Sequence, residues 1–338
     1  MQWLREHARD YDCVLVSGVA GCNASRAWYA LRETGAPYFV FAPRYLGFLQ
    51  GFRREWEKTK QRLCWPWAGY PLFRDAHAVF FSSEEAKREV RECFWPYDCH
   101  EFVLTCGVAD DGPNQNAHAR AGFLTGHPDL AGKRLFSVLA PGVDPVPDAF
   151  LCAVRTLTEA GRWDRDAMRL VLTGFDDANA VEALRLAVER HGLGGIVHAV
   201  GTLGGSERRE LLQASEALVQ PARAENSAQA VAEAFAAGKP VLIARGLNLC
   251  REVLAHSAGL AEDDTEAGCV ALFGNWFRES PEERASFGVN ARLAYETHYT
   301  EQAAANTLTA VIYLLIGARQ AGHTPVDPDI YRNEVDFL

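Results

Sequence analysis

The chain has 338 residues, 48% of them hydrophobic and 23% charged, a composition of ordinary globular proteins and a length sufficient for two separately cored domains. Its 34 Lys and Arg against 44 Asp and Glu give a net charge of -10, which excludes a general nucleic-acid binder, because phosphate contacts need a basic face. The opening Met1-Gln2-Trp3-Leu4-Arg5-Glu6-His7 lacks the apolar core of a signal sequence, and the late apolar run Val311 to Ile316 is too short to span a bilayer, so a soluble or peripheral protein is expected.

Short β-rich runs alternate with helical patterns at Cys13 to Ser17, Tyr38 to Phe41, Ala78 to Phe81 and Phe102 to Thr105. They continue at Arg134 to Leu139, Arg169 to Thr173, Ile196 to Val200, Ala217 to Val219 and Val241 to Ala244. This alternation predicts parallel α/β architecture. The stretch Asp110 to Gly132, rich in Gly, Asn, Asp and Ala with Pro113 and Pro128, is expected to be an interdomain linker. Between Arg44 and Arg74 seven cations and two acids are interleaved with Phe48, Phe52, Trp56, Trp65, Trp67, Tyr70 and Phe73. A basic amphipathic helix of this kind suits an anionic membrane surface; the alternative is a domain helix with its aromatic side in the core.

Nine cysteines, at 13, 22, 64, 93, 99, 106, 152, 250 and 269, show no C-x-x-C pair and no metal-binding spacing with histidine. They are expected to be small buried hydrophobes in a reducing cytoplasm. The ten histidines form no cluster in sequence, and no metal site, Ser-His-Asp order or phosphate-binding Walker loop is predicted.

The most informative segment runs from Pro221 through Arg223, Glu225, Asn226 and Ser227 to Glu233, then to Gly238-Lys239-Pro240-Val241. Asn226 or Ser227 can cap a helix whose free N–H groups and positive dipole end face a phosphate. At about 1.5 Å per helical residue, Glu233 lies roughly 10–12 Å beyond Glu225, comparable to the distance from a donor sugar to the ribose of its nucleotide. One carboxylate can then hold sugar hydroxyls and the other ribose hydroxyls. Equally, two glutamates at this spacing arise by chance on an Ala-rich helix packed against a sheet.

The whole string resembles the retaining glycosyltransferases of family 4, which carry a proline, Glu-Asn, a second Glu and Ala-x-Ala-x-Gly-x-Pro-Val. Glu252-Val253, Gly259-Leu260 and Glu262-Asp263-Asp264 continue the likeness. The resemblance implies a GT-B fold, an α/β architecture of two Rossmann-like domains facing across a cleft. The first domain, 1–125, would be the acceptor side, and 126–300 the nucleotide-sugar side. Residues 301–318 would form a helix returning to the first domain, followed by a tail at 319–338. Family members have a strand, a Gly-rich loop and further βα units before the stretch matched here by Asp12 to Gly18, so a shortened first domain is implied.

The resemblance further implies a hexosyltransferase-type reaction from a UDP- or GDP-linked sugar, with retention and without a metal or other cofactor, in polysaccharide or glycolipid synthesis. Glu225 would be the catalytic contact to the donor sugar and Glu233 the ribose contact. Asn226, Ser227, Ala228 and Arg223 would lie along the sugar or diphosphate, and Gly201, Thr202 and Leu203 would line the base pocket. On the acceptor side, Ser17 before Gly18, and Arg44, stand in place of family histidines. Pro141 and Val146 stand where the family has an Arg and a Lys that grip the donor phosphates. The implied partners are a nucleotide sugar and a glycan or lipid-linked acceptor, in the cytoplasm or on the inner membrane face. The alternative, which the lost cations favour, is a catalytically inactive partner subunit or sugar-binding module of a glycosyltransferase.

Overall fold

The computed structural model describes residues 1–17, 22–42, 59, 62–67, 69–110, 116–139, 147–175, 178–221 and 227–320. The chain divides into two compact units: Met1–Cys106 with Glu301–Leu338, and Gly107–Thr300.

The first unit is built on β1 (Val14–Ser17), β2 (Tyr38–Phe41), β3 (Val79–Phe81) and β4 (Glu101–Val103), joined in that order into a four-stranded, all-parallel sheet. Burial along the strands follows their position. The inner strand β3 is wholly buried, whereas β1, at the sheet edge, alternates half-buried with exposed residues, as the two-residue period of a strand with one wet side demands. One face packs a core around Trp65, Phe73, Phe81 and Phe94; the other packs Phe39, Phe80 and Leu104 against Val311 and Leu315 of the last helix, Glu301–Gln320. Trp65 meets Phe73 edge-on at 5.1 Å and its indole N–H donates to the Pro96 carbonyl at 2.6 Å, so the polar end of a buried aromatic is satisfied. Trp65 and Phe73 are therefore core residues and not membrane anchors; Trp67 and Leu63 are exposed, and most of the rest of 44–74 lies outside the described residues.

The second unit contains β5 (Arg134–Leu139), β6 (Met168–Thr173), β7 (Val197–Ala199), β8 (Ala217–Gln220), β9 (Val241–Ala244) and β10 (Gly259–Glu262). They form a six-stranded parallel sheet in the order β10-β9-β8-β5-β6-β7. Strands β8 and β9 are buried throughout, the expected state of central parallel strands covered by helices on both faces. On one face Phe136, Trp163 and Phe273 form a cluster with centroids 5.1–5.7 Å apart, Phe273 meeting the other two rings edge-to-face. On the other, Val231, Ala234 and Phe235 of the Ser227–Ala236 helix pack over β8 and β9.

The expected strands at 38–41, 134–139 and 241–244 form over those residues, and the rest lie within two residues of their expected ends. The chain is thus an α/β protein of two parallel-sheet units. β10 had no strand signal of its own; its four residues begin with a glycine and end on a glutamate, and pairing with β9 makes it a strand. The supposed linker is corrected as well. Asn116–Gly126 is a helix of the second unit, held because Phe123 and Leu124 reach the core beside Leu211 and Leu212. Among the described residues no helix is long and apolar enough to cross a membrane. The cysteine expectation is also corrected: of eight described as free thiols, only Cys250 and Cys269 are buried and Cys64 is exposed.

Candidate functional site

In an open parallel sheet, ligands bind at the carboxyl ends of strands where the winding reverses. Here the chain moves from β5 outward to β6 and β7, then returns to β8 on the opposite side of β5, so the switch lies between β5 and β8. Gln220, the last residue of β8, is 1% exposed and donates through Nε2 to the carbonyl of Leu139, the last residue of β5, at 3.2 Å. This bond fixes the two strand ends that frame the crevice. The segments continuing from them, 140–146 and 222–226, lie outside the described residues, and with them Pro141, Val146, Arg223, Glu225 and Asn226.

The helix that follows starts at Ser227 and ends after Ala236. Gly238 has φ +63, and the amides of Gly238 and Lys239 donate to the carbonyls of Phe235 and Ala234 at 2.9 and 2.8 Å, a left-handed C-cap that turns the chain into β9. Glu233 stands two turns into this helix with an 8% exposed side chain. Its Oε1 accepts from the Arg208 guanidinium at 2.5 Å and from Gln229 Nε2, one turn back, at 2.9 Å. Burial pushes its carboxyl above the usual range, while the Arg208 charge and the Gln229 bond pull the other way and do not cancel it. Arg208 comes from the Gly205–Ala214 helix, and its buried Nε has no hydrogen-bond partner.

At the neighbouring strand ends, Thr173 closes β6. Its hydroxyl donates to the carbonyl of Gly201 at 2.6 Å and accepts from the amide of Leu203 at 3.2 Å. Gly201 has φ +72, a conformation that favours glycine, so the turn 201–203 is held in one shape by a buried hydroxyl. Gly201 and Thr202 are exposed, and Leu203 packs against the core.

Of the residues singled out in the sequence, Glu233, Ala228 and Gly201 to Leu203 belong to the second unit, with Ser227 as the first residue of the helix. Ser17 ends the edge strand β1 in the other unit and is exposed; Gly18 and Arg44 are outside the described residues. Sequence reading missed Arg208, Gln229, Thr173 and Gln220. Gln229 had a visible signal, its place four residues before Glu233; Arg208 had none, lying 25 residues away on another helix. Two further cations near this helix are engaged with protein groups. Lys239 is largely buried and donates to the Gln213 carbonyl at 3.0 Å; Arg245 is half exposed, 3.4 Å from Glu262.

Residues 147–294 match the family model of the glycosyl transferases group 1. No curated protein matches the chain. Among solved structures, HepE of Anabaena in complex with UDP and glucose is similar with a TM-score of 0.67 at 15% identity, over 91% of this chain and 80% of that one. A glycosyltransferase of Rickettsia africae is similar at TM-score 0.69 and 12% identity, over 93% and 80% of the two chains. The sucrose-phosphate synthase of Thermosynechococcus elongatus gives 0.69 and 16%, over 94% and 77%. These likenesses establish the GT-B fold.

Proposed function

From the premise that the chain carries a glycosyl transferases group 1 domain at residues 147–294, we propose that it transfers a sugar from a UDP- or GDP-linked donor, with retention at the anomeric carbon, to a glycan or lipid-linked acceptor. That HepE has been solved with UDP and with UDP-glucose supports the donor class. The observation that carries the reading is the Glu233 carboxylate, buried on the helix that follows β8, the strand bordering the switch point.

In this reading Glu233 receives the ribose hydroxyls, and its bonds from Arg208 and Gln229 hold the carboxylate in place before the donor arrives. The turn 201–203, pinned by Thr173, meets the base. Backbone amides at 226–228 face the diphosphate with the positive end of the helix dipole, and Glu225 contacts the sugar. No protein nucleophile is required: the departing diphosphate takes the acceptor's proton, and the protein contributes position and charge stabilisation. By the family resemblance, Pro141 and Val146 stand in the places of two phosphate-binding cations. At about 1.5–3 kcal/mol per charge-assisted bond, their loss costs roughly a hundred- to ten-thousand-fold in donor affinity. That cost supports the second reading, a non-catalytic partner subunit that keeps the scaffold.

Calorimetric titration with UDP-, GDP- and TDP-sugars separates the two. Transfer activity predicts that one donor binds with a dissociation constant of about 1 mM or below, and that Glu233→Ala weakens it at least about tenfold. Silence across the panel sinks the enzyme reading and leaves the partner role.

A further inference from the structure

Among the described residues of the second unit, one set of metal-ligating side chains converges that neither the donor site nor the fold requires. Asp148 and Cys152 are one turn apart on the Asp148–Glu159 helix, so both project from the same face. His191 follows the end of the Ala178–Arg190 helix and brings its ring to that face. His191 Nδ1 lies 3.9 Å from Cys152 Sγ, Asp148 Oδ2 lies 3.9 Å from the same sulfur, and one ligand atom from each residue falls within 4.8 Å of the others. The imidazole is 5% exposed and its Nε2 is hydrogen-bonded to Asp148 Oδ1 at 2.8 Å.

From this geometry we propose that Asp148, Cys152 and His191 form a zinc(II) site, with one sulfur, one nitrogen and one oxygen ligand and a fourth position open to water. The donor set argues for zinc. A thiolate with an imidazole disfavours magnesium and calcium, which take oxygen ligands, and three protein ligands plus water is a common zinc arrangement. The distances are close to what the ion needs. Zinc bonds of about 2.0–2.3 Å at tetrahedral angles place ligand atoms about 3.4–3.6 Å apart, so sulfur and nitrogen close by only a few tenths of an ångström. Asp148, two-thirds exposed, is free to turn its carboxylate from Nε2 toward the Nδ1 side.

The Asp148 carboxylate beside the sulfur favours a bound cation, and because metal binding releases protons from its ligands, affinity rises with pH. Arg190, 3.8 Å from Asp148, is the opposing charge, and at 69% exposure it can move into solvent. Bound zinc ties the start of the Asp148–Glu159 helix to the turn after Arg190. This site is independent of the donor reading.

The test uses the untagged full-length chain, stripped with a chelator and titrated with zinc against a chromophoric competitor, with cobalt(II) as the spectroscopic probe. One zinc per chain is expected, bound more tightly at about pH 8 than at pH 6, and cobalt gives a thiolate-to-metal charge-transfer band. Cys152→Ser removes the band, and Cys152→Ser and His191→Asn each weaken zinc by roughly a hundredfold or more, at least what losing an outer-shell partner costs a metal site. Protection of Cys152 from alkylation by zinc, read by mass spectrometry on the wild-type chain, needs no variant. Equal alkylation with and without zinc, or zinc binding that survives both substitutions, overturns the proposal.

Discussion

Arg208→Met tests how Glu233 is held. The variant removes the guanidinium bond to Oε1 and leaves a carboxylate that is 8% exposed with the Gln229 amide as its remaining side-chain donor there. Breaking a buried pair on one side costs about 3–5 kcal/mol, and since Arg208 is itself 28% exposed and water can reach in behind it, the lower figure applies. At about 2–4 °C per kcal/mol for a unit of this size, the melting temperature at pH 8 falls by roughly 6–12 °C. The loss depends on pH with a definite sign. Burial raises the Glu233 carboxyl above the value of 4.5 that it has when free, so the folded chain binds this proton more readily than the unfolded one. Stability therefore declines as pH climbs from that value through the raised folded one. Without Arg208 the folded value rises further and the interval widens, so the gap between variant and wild type is small near pH 5 and full at pH 8. Melting curves at the two pH values, with the double variant Arg208→Met, Glu233→Gln as a control that recovers most of the loss, measure it. An equal gap at both pH values refutes the account of a buried, charge-compensated carboxylate.

Lys239→Met is expected to stabilise the protein. Burial lowers the Lys239 ammonium to about 8 from 10.5, a difference of about 3 kcal/mol, against which stands about 1 kcal/mol for its bond to the Gln213 carbonyl. The net gain of about 2 kcal/mol at pH 7 shrinks as pH rises from 8 to 10.5, where the wild-type chain recovers stability, and chemical unfolding across that range checks it. Gly259→Ala places a Cβ 1.8 Å from the carbonyl oxygen of Val241 on the paired strand β9, so β10 cannot keep its register. The expected loss is about 3 kcal/mol or more, read as a lower denaturant midpoint, and a melting temperature equal to wild type would contradict the pairing.

Much of the scaffold was legible in the chain. Runs such as Leu135 to Leu139, interrupted only by Ser137, and Val241 to Ala244 are almost wholly apolar because central parallel strands are covered on both faces, and that pattern survives without tertiary information. The Gly238-Lys239-Pro240 stop was equally local, since a left-handed cap needs a glycine and a proline cannot continue a helix. Elements whose stability comes from distant partners were not legible. β10 is a strand because β9 lies beside it, and Asn116–Gly126 is a helix because Phe123 finds Leu211 and Leu212.

The same division runs through the site. Sequence by itself placed Glu233 on a helix after a buried strand, because helix period is a property of neighbouring residues, whereas 201–203 was marked only by the family resemblance. Only tertiary structure decided that Arg208 faces Glu233 across 25 positions, that Gln220 ties two strand ends 81 residues apart, and that His191 meets Cys152 across 39. The reason is physical: hydrogen bonds and charge pairs act over a few ångströms of space, and the distance along the chain between their members is set by how the sheet is wound.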